Sequence, residues 1–203
     1  MKPNNTWFNY LTLKSVNKII RILTVSDLII LSGYGLISPI FAIYIADSIK
    51  GGTVEVIGIA SAIYLLSKSL GQIPIATTID KIKGEKDDFW FLFSGSILFS
   101  LIPLLYLIIN APWQLYIIQA LYGFADGIVL PSWYAIFTRH IDKDHEGLEW
   151  GIYRTLTDLG GAGAASIGGF LAFRFGFSNL FIVISILSFI GTMFLLGIRK
   201  NFK

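Results

Sequence analysis

Cysteine is absent from the 203 residues, so no disulfide and no thiolate-bound metal braces this chain. Charge is also scarce. Asp, Glu, Lys and Arg make up 14% of the residues against 54% hydrophobic ones, and the mean hydropathy is +0.68. A soluble domain of this size carries about a quarter charged residues, so the composition excludes one and puts the chain in a membrane. The net charge of +3 is small, and its cations gather at the ends of apolar runs, so nothing resembles a nucleic-acid surface. There are two histidines, His140 and His145, in a loop with Asp142, Asp144 and Glu146. Their separation does not put them on one helical face, and a solvated charged loop explains them better than a metal site. Sequences of the form His-Glu-x-x-His, Gly-x-Ser-x-Gly or Gly-x-x-x-x-Gly-Lys-Ser are missing. Protease, hydrolase and ATPase chemistry therefore lack support. No enzyme, cofactor or metal is implied.

What is present is a series of apolar runs of about 20 residues, each the length of a membrane crossing. Six are expected: 22–45, 54–79, 89–109, 113–137, 150–173 and 180–198. The fold expected is an all-α membrane bundle. Residues 1–21, with Trp7, Phe8, Tyr10, Leu11 and Leu13 among Lys14 and Lys18, read as an interfacial lead-in. The first run is too long for a signal-peptide core, so it is expected to be retained. Residues 22–198 form the transmembrane domain and 199–203 a tail.

Six crossings leave both termini on one side. Twelve Lys and Arg lie on that side and two, Lys50 and Arg174, on the other. The positive-inside rule makes both termini cytoplasmic, as in a multi-pass protein of a cell (inner) membrane. An internal repeat is also visible. Gly35-Leu-Ile-Ser-Pro39 in the first run is similar to Gly127-Ile-Val-Leu-Pro131 in the fourth, at an offset of 92, and the same offset carries runs two and three onto five and six. Three spans is an odd number, so the second unit is inverted, a plan common in secondary transporters. Both Gly-x-x-x-Pro segments are expected to kink their helices.

Five ionisable residues fall inside the runs: Asp27, Lys68, Asp126, Arg154 and Asp158. Each charge costs about 2.5–3.5 kcal/mol at mid-bilayer unless paired or wetted. Most sit on polar stripes at helical spacing: Asp27, Tyr34 and Ser38; Ser61, Tyr64, Lys68 and Gln72; Gln119, Tyr122, Asp126 and Trp133. These stripes point to a shared cavity, a substrate and proton path comprising Asp27, Tyr34, Lys68, Gln72, Gln119, Asp126, Arg154 and Asp158. A structural salt-bridge network is the alternative, and for the Arg154–Asp158 pair, one turn apart, it is preferred. Runs three and six show no stripe and read as lipid-facing supports. Gly160, Ala164 and Gly168 read as a close-packing face.

The stretch Gln72-Ile-Pro-Ile-Ala-Thr-Thr-Ile-Asp80-Lys81-Ile-Lys-Gly84-Glu-Lys86 ends one run and opens a basic loop. It resembles the loop after the second helix of major facilitator superfamily (MFS) transporters. Asp80 and Lys81 match that motif, Gly84 arrives one residue late, and Ala76 replaces its first glycine. The whole chain after about residue 21 is similar to one six-span half, the N-terminal one. Two other family motifs depart: Gln119-Ala-Leu-Tyr-Gly123 lacks the arginine, and Gly160-Gly-Ala-Gly-Ala164-Ala165 has alanine at the centre. The resemblance implies a secondary transporter of a small solute, working by alternating access and proton-coupled. It implies a pairing of Asp80 with Arg139. It also implies a missing half, supplied by a homodimer or a second half-size chain in the bilayer. The competing expectation is a non-transporting or truncated membrane protein of the same fold. A channel is less favoured, since no carbonyl filter or charged ring is visible.

Overall fold

The computed structural model describes residues 12–82 and 84–202. The aromatic lead-in at Trp7, Phe8, Tyr10 and Leu11, together with Lys83, lies outside them. Helix α1 spans Lys18–Gly35, a 3₁₀ turn Ser38–Ile40 follows, and α2 spans Phe41–Ser48. Helices α3 (Val54–Lys81), α4 (Lys86–Leu105), α5 (Pro112–His140) and α6 (Glu146–Phe194) follow, then two 3₁₀ turns, Leu195–Gly197 and Arg199–Asn201. Among the described residues, five helical stretches are long and apolar enough to cross a membrane, with α1 and α2 counted together.

Local chemistry sets the ends. The Asn17 side chain accepts the Ile19 N–H at 2.9 Å and caps α1. Thr53 accepts the Val56 N–H at 3.3 Å and caps α3. Before α5, the Gln114 carbonyl accepts the N–H groups of Asn110 at 2.8 Å and Ala111 at 3.1 Å, and Pro112 starts the helix with the one residue type that has no N–H to satisfy. Gly84 turns the chain between α3 and α4 at φ 112°, a conformation that explains glycine there.

Helix α6 has 49 residues; a straight helix of that length would run on the order of 75 Å, more than twice a bilayer core. It is not straight. Gly176 sits at φ 79°, ψ 161°, outside helical space. Before it, Tyr153, Gly160 and Gly168 meet Asp27, Ser32 and Leu36, so this part runs parallel to α1. After it, Gly191 and Gly197 meet Ser26 and Ile22, so this part runs antiparallel. The chain therefore reverses at Gly176.

The two Gly-x-x-x-Pro segments differ. The first run breaks into helix, 3₁₀ turn and helix around Pro39, whereas α5 continues through Pro131. The charged connection is also shorter than expected, 141–145, because α6 begins at Glu146. Leu13 does not face lipid; it is buried with Val16 in the bundle end.

Two apolar clusters seal the bundle. One gathers Leu23, Phe89, Ile136, Phe137 and Ile198; the other gathers Ile45, Ile102, Leu115, Leu180 and Phe181. On α5 the second cluster takes Leu115 and Ile118 and the first takes Trp133 to Phe137, which leaves Asp126 between them. Runs three and six keep exposed apolar faces, with Leu101 and Ile186 among them. The expectation that they carry no polar stripe is corrected by the buried Ser96, Ser100, Ser185, Ser188 and Thr192. Ser185 donates to the Ser100 carbonyl at 2.7 Å and Thr192 to the Ser96 carbonyl at 3.3 Å. Small hydroxyl residues let these helices approach closely, and the O–H groups of Ser185 and Thr192 find acceptors. Helix α3 has the opposite character. Only Ala60 and Ile79 are buried along it, and Leu65, Leu66, Leu70 and Ile73 are exposed.

The expected packing face on α6 is found. A Cβ at Gly168 would run into the Leu36 carbonyl oxygen, whereas open space lies beyond Gly163. Gly168→Ala is expected to lower stability by more than about 1 kcal/mol, since α1 must move. Gly163→Ala is expected to raise it by about 0.5–1 kcal/mol through helix propensity. Thermal unfolding of the two purified variants checks the opposite signs.

Candidate functional site

The site begins with a close helix crossing. A Cβ at Gly123 would strike the Tyr64 carbonyl oxygen, and one at Gly127 would lie 2.9 Å from the Lys68 carbonyl oxygen. These two glycines, one turn apart on α5, let α3 pack backbone to backbone, and Ser67 donates across to the Ala120 carbonyl at 2.7 Å. The crossing puts side chains from both helices in one place. The Lys68 ammonium lies 2.7 Å from Asp126 Oδ2. The Tyr64 hydroxyl donates to the same oxygen. An isolated charge here would be costly, and the pair with its added hydrogen bond removes most of that penalty.

Aromatic rings extend from this pair. Tyr64 meets Tyr122 at 4.8 Å between centroids, Tyr122 stacks on Tyr34 at 5.5 Å, and Tyr34 meets Phe99 at 4.5 Å. The Tyr34 hydroxyl donates to the Phe99 carbonyl at 2.7 Å. Asp27 lies on α1 and accepts the Tyr153 hydroxyl at 2.9 Å. Asp27, Lys68, Asp126 and Arg154 all line one cavity of about 320 Å³.

The expected path residues separate accordingly. Asp27, Lys68 and Asp126 come together, with Arg154 at the rim. Tyr34 lies in the ring stack. Arg154 and Asp158 form the expected local pair at 3.6 Å, well exposed. Gln119 departs from expectation: it is buried and donates to the Tyr106 hydroxyl at 3.2 Å, away from the charged cavity. Gln72 faces a separate groove that also touches Asp80 and Arg139. The expected Asp80–Arg139 ion pair is not made. Arg139 instead pairs with Asp88 at the start of α4, with Glu85 at 3.9 Å. Asp88 is fully buried, while Asp80 and Lys81 are exposed. A buried carboxylate gains far more from a guanidinium than a hydrated one.

The sequence reading missed Asp88, Phe99, Trp150 and Tyr153. Asp88 looked like a loop residue beside Asp87, although an acid near the predicted membrane edge opposite Arg139 was a usable signal. Tyr153 sits beside Arg154, and only the need of Asp27 for a donor could have singled it out.

A sequence profile of the Major Facilitator Superfamily matches residues 23–201. The chain belongs to that superfamily. It is 28% identical over 164 residues to the multidrug resistance protein MdtG of Dickeya zeae, covering 79% of this chain and 39% of that protein. It is 25% identical over 124 residues to the proton-coupled antiporter flippase LtaA of Staphylococcus saprophyticus, covering 58% and 31%. The fold matches a crystal structure of the POT-family transporter PepTSo with a TM-score of 0.73 at 14% identity, over 92% of this chain and 38% of that one. The chain thus spans about two fifths or less of the MFS relatives it matches. It is an MFS membrane protein and not an enzyme.

The Asp88 pairing is testable. Arg139→Met is expected to destabilise by about 1–3 kcal/mol, because Asp88 stays buried without its cation. Adding Asp88→Asn is expected to restore part of the loss. Asp80→Asn is expected to change nothing. Thermal unfolding of the three variants measures this.

Proposed function

We propose that this MFS chain moves a small solute across a cell membrane by alternating access, coupled to protons. One observation carries the reading: a Lys68–Asp126 pair, joined by Tyr64, held between two apolar seals and facing a cavity that also contains Asp27. Ionisable groups at that depth mark ion and substrate paths more often than structural braces. In this reading Asp27 or Asp126 carries the proton. Neutralising Asp126 would free Lys68 and change what the cavity attracts. Similarity to a multidrug resistance protein and to a proton-coupled antiporter flippase supports the same class.

The chain reversal at Gly176 supports reading α6 as two crossings, which gives six spans as a three-plus-three inverted repeat. With Lys and Arg twelve to two, both termini are then cytoplasmic. The six-span domain covers residues 22–198, flanked by the interfacial segment 1–21 and the tail 199–203. The exposed apolar faces of α3 and of α6 before Gly176, with Leu159, Ile167 and Phe170, support a homodimer or a second half-size chain that closes the cavity. Asp80, Lys81 and Gly84 would then serve the cytoplasmic loop.

Purified protein in sealed vesicles under an imposed pH gradient tests transport, with a panel of labelled sugars, peptides, amines and organic anions. At least one solute is expected to accumulate, with the rate falling tenfold or more in Lys68→Ala and Asp126→Asn. Accumulation of none, with proton leak equal to empty vesicles, would favour the non-transporting alternative.

Pairing is tested separately. The chain has no native cysteine, so Leu66→Cys offers a single thiol on the exposed face of α3. A cross-linked dimer, or a link to a second half-size chain, is expected in native membranes. Full transport by a protein that stays monomeric would overturn the pairing.

A further inference from the structure

We infer that the last turns of the chain and the start of α1 together form a docking surface for the headgroup of an anionic phospholipid. The inference needs the chain to lie in a bilayer and does not depend on the transport reading.

The surface is made by the way α6 returns to α1. Ser26 donates to the Gly191 carbonyl at 2.8 Å, and a Cβ on Gly197 would lie 3.1 Å from Ile22. The two segments run antiparallel there. Arg199 and Lys200, just past Gly197, therefore come to the level of Lys18, one turn before Ile22. Ile19 and Ile198 are buried in one cluster, while all three cations are exposed. The Arg199 guanidinium also lies over the Trp90 ring, 5.1 Å from its centroid, which brings α4 to the same surface.

The surface is positive. Among the described residues no Asp or Glu oxygen comes within 4.0 Å of Lys18, Arg199 or Lys200. Asp88 is engaged by Arg139, with Glu85 beside it. Asp87 shares a helix face with Trp90, but it is one charge against three and one of its oxygens is buried. Asp142, Asp144 and Glu146 stand at the head of the first part of α6. That part meets α1 through Asp27, Ser32 and Leu36, a different face from the one that Ile22 and Ser26 present to the last part.

The apolar neighbours choose the occupant. Trp90, Phe194 and Leu196 are exposed beside these cations. A phosphate that carries acyl chains covers both kinds of surface, whereas a soluble anion leaves the apolar part bare. Tryptophan settles at headgroup level, and long cationic side chains at a helix end reach the same layer.

The test places purified protein in vesicles of phosphatidylcholine brominated near the headgroup end of its acyl chains, where bromine quenches tryptophan. The share of Trp90 is the difference between each protein and its Trp90→Phe counterpart. Unbrominated phosphatidylglycerol is expected to relieve that quenching at least about fivefold more effectively than unbrominated phosphatidylcholine, the contribution of a single surface cation. The preference is expected to vanish in Lys18→Gln/Arg199→Gln/Lys200→Gln and to persist in Lys50→Gln/Arg174→Gln. Soluble glycerol phosphate is expected not to compete. Equal relief by the two lipids overturns the inference, and that comparison needs no charge variant to fold. A preference that survives in the folded triple variant, or that glycerol phosphate abolishes, overturns it too. Both leaflets hold the same lipid, so the outcome is independent of which way the protein inserts.

Discussion

An ion pair 2.7 Å long, placed where water is scarce, governs how this molecule is built. Lys68 and Asp126 belong to different helices, and neither charge is tolerable alone in an apolar slab. Their meeting requires α3 and α5 to cross backbone to backbone. That in turn requires glycine at 123 and 127, since a side chain at either place would hold the helices apart. The apolar clusters lie on either side of the pair along α5.

The helices carry unequal roles. α1, α4 and the last part of α6 are joined by buried hydroxyls that donate to backbone carbonyls, which makes a tight wedge of the bundle. α3 is bound to the rest chiefly through α5 and keeps most of its apolar surface exposed. The Lys68–Asp126 pair spans the seam between α3 and α5. Among the described residues it is the one ion pair that joins α3 to another helix.

The connection between α3 and α4 shows how burial chooses among partners. Three acids, Asp80, Glu85 and Asp88, lie near Arg139 at the end of α5. Arg139 takes the buried one. Solvated Asp80 gains little from a cation, since water already satisfies it, and it remains on the surface.

Composition and spacing determined the membrane class, the helical runs and the grouping of Asp27, Lys68 and Asp126, while the superfamily resemblance came from the loop motif at Gln72–Lys86. Charge in an apolar run is costly enough to stand out in one dimension. The packing face of Gly160, Ala164 and Gly168 was legible for the same reason, because small residues at helical spacing have few other uses. Tertiary structure alone decided the rest. It turned Gln119 toward Tyr106 and out of the path, gave Arg139 to Asp88 and supplied Tyr153 to Asp27. Those outcomes depend on which side chains from distant segments share a buried space, and helical periodicity fixes the face of a residue without naming the neighbour it will meet.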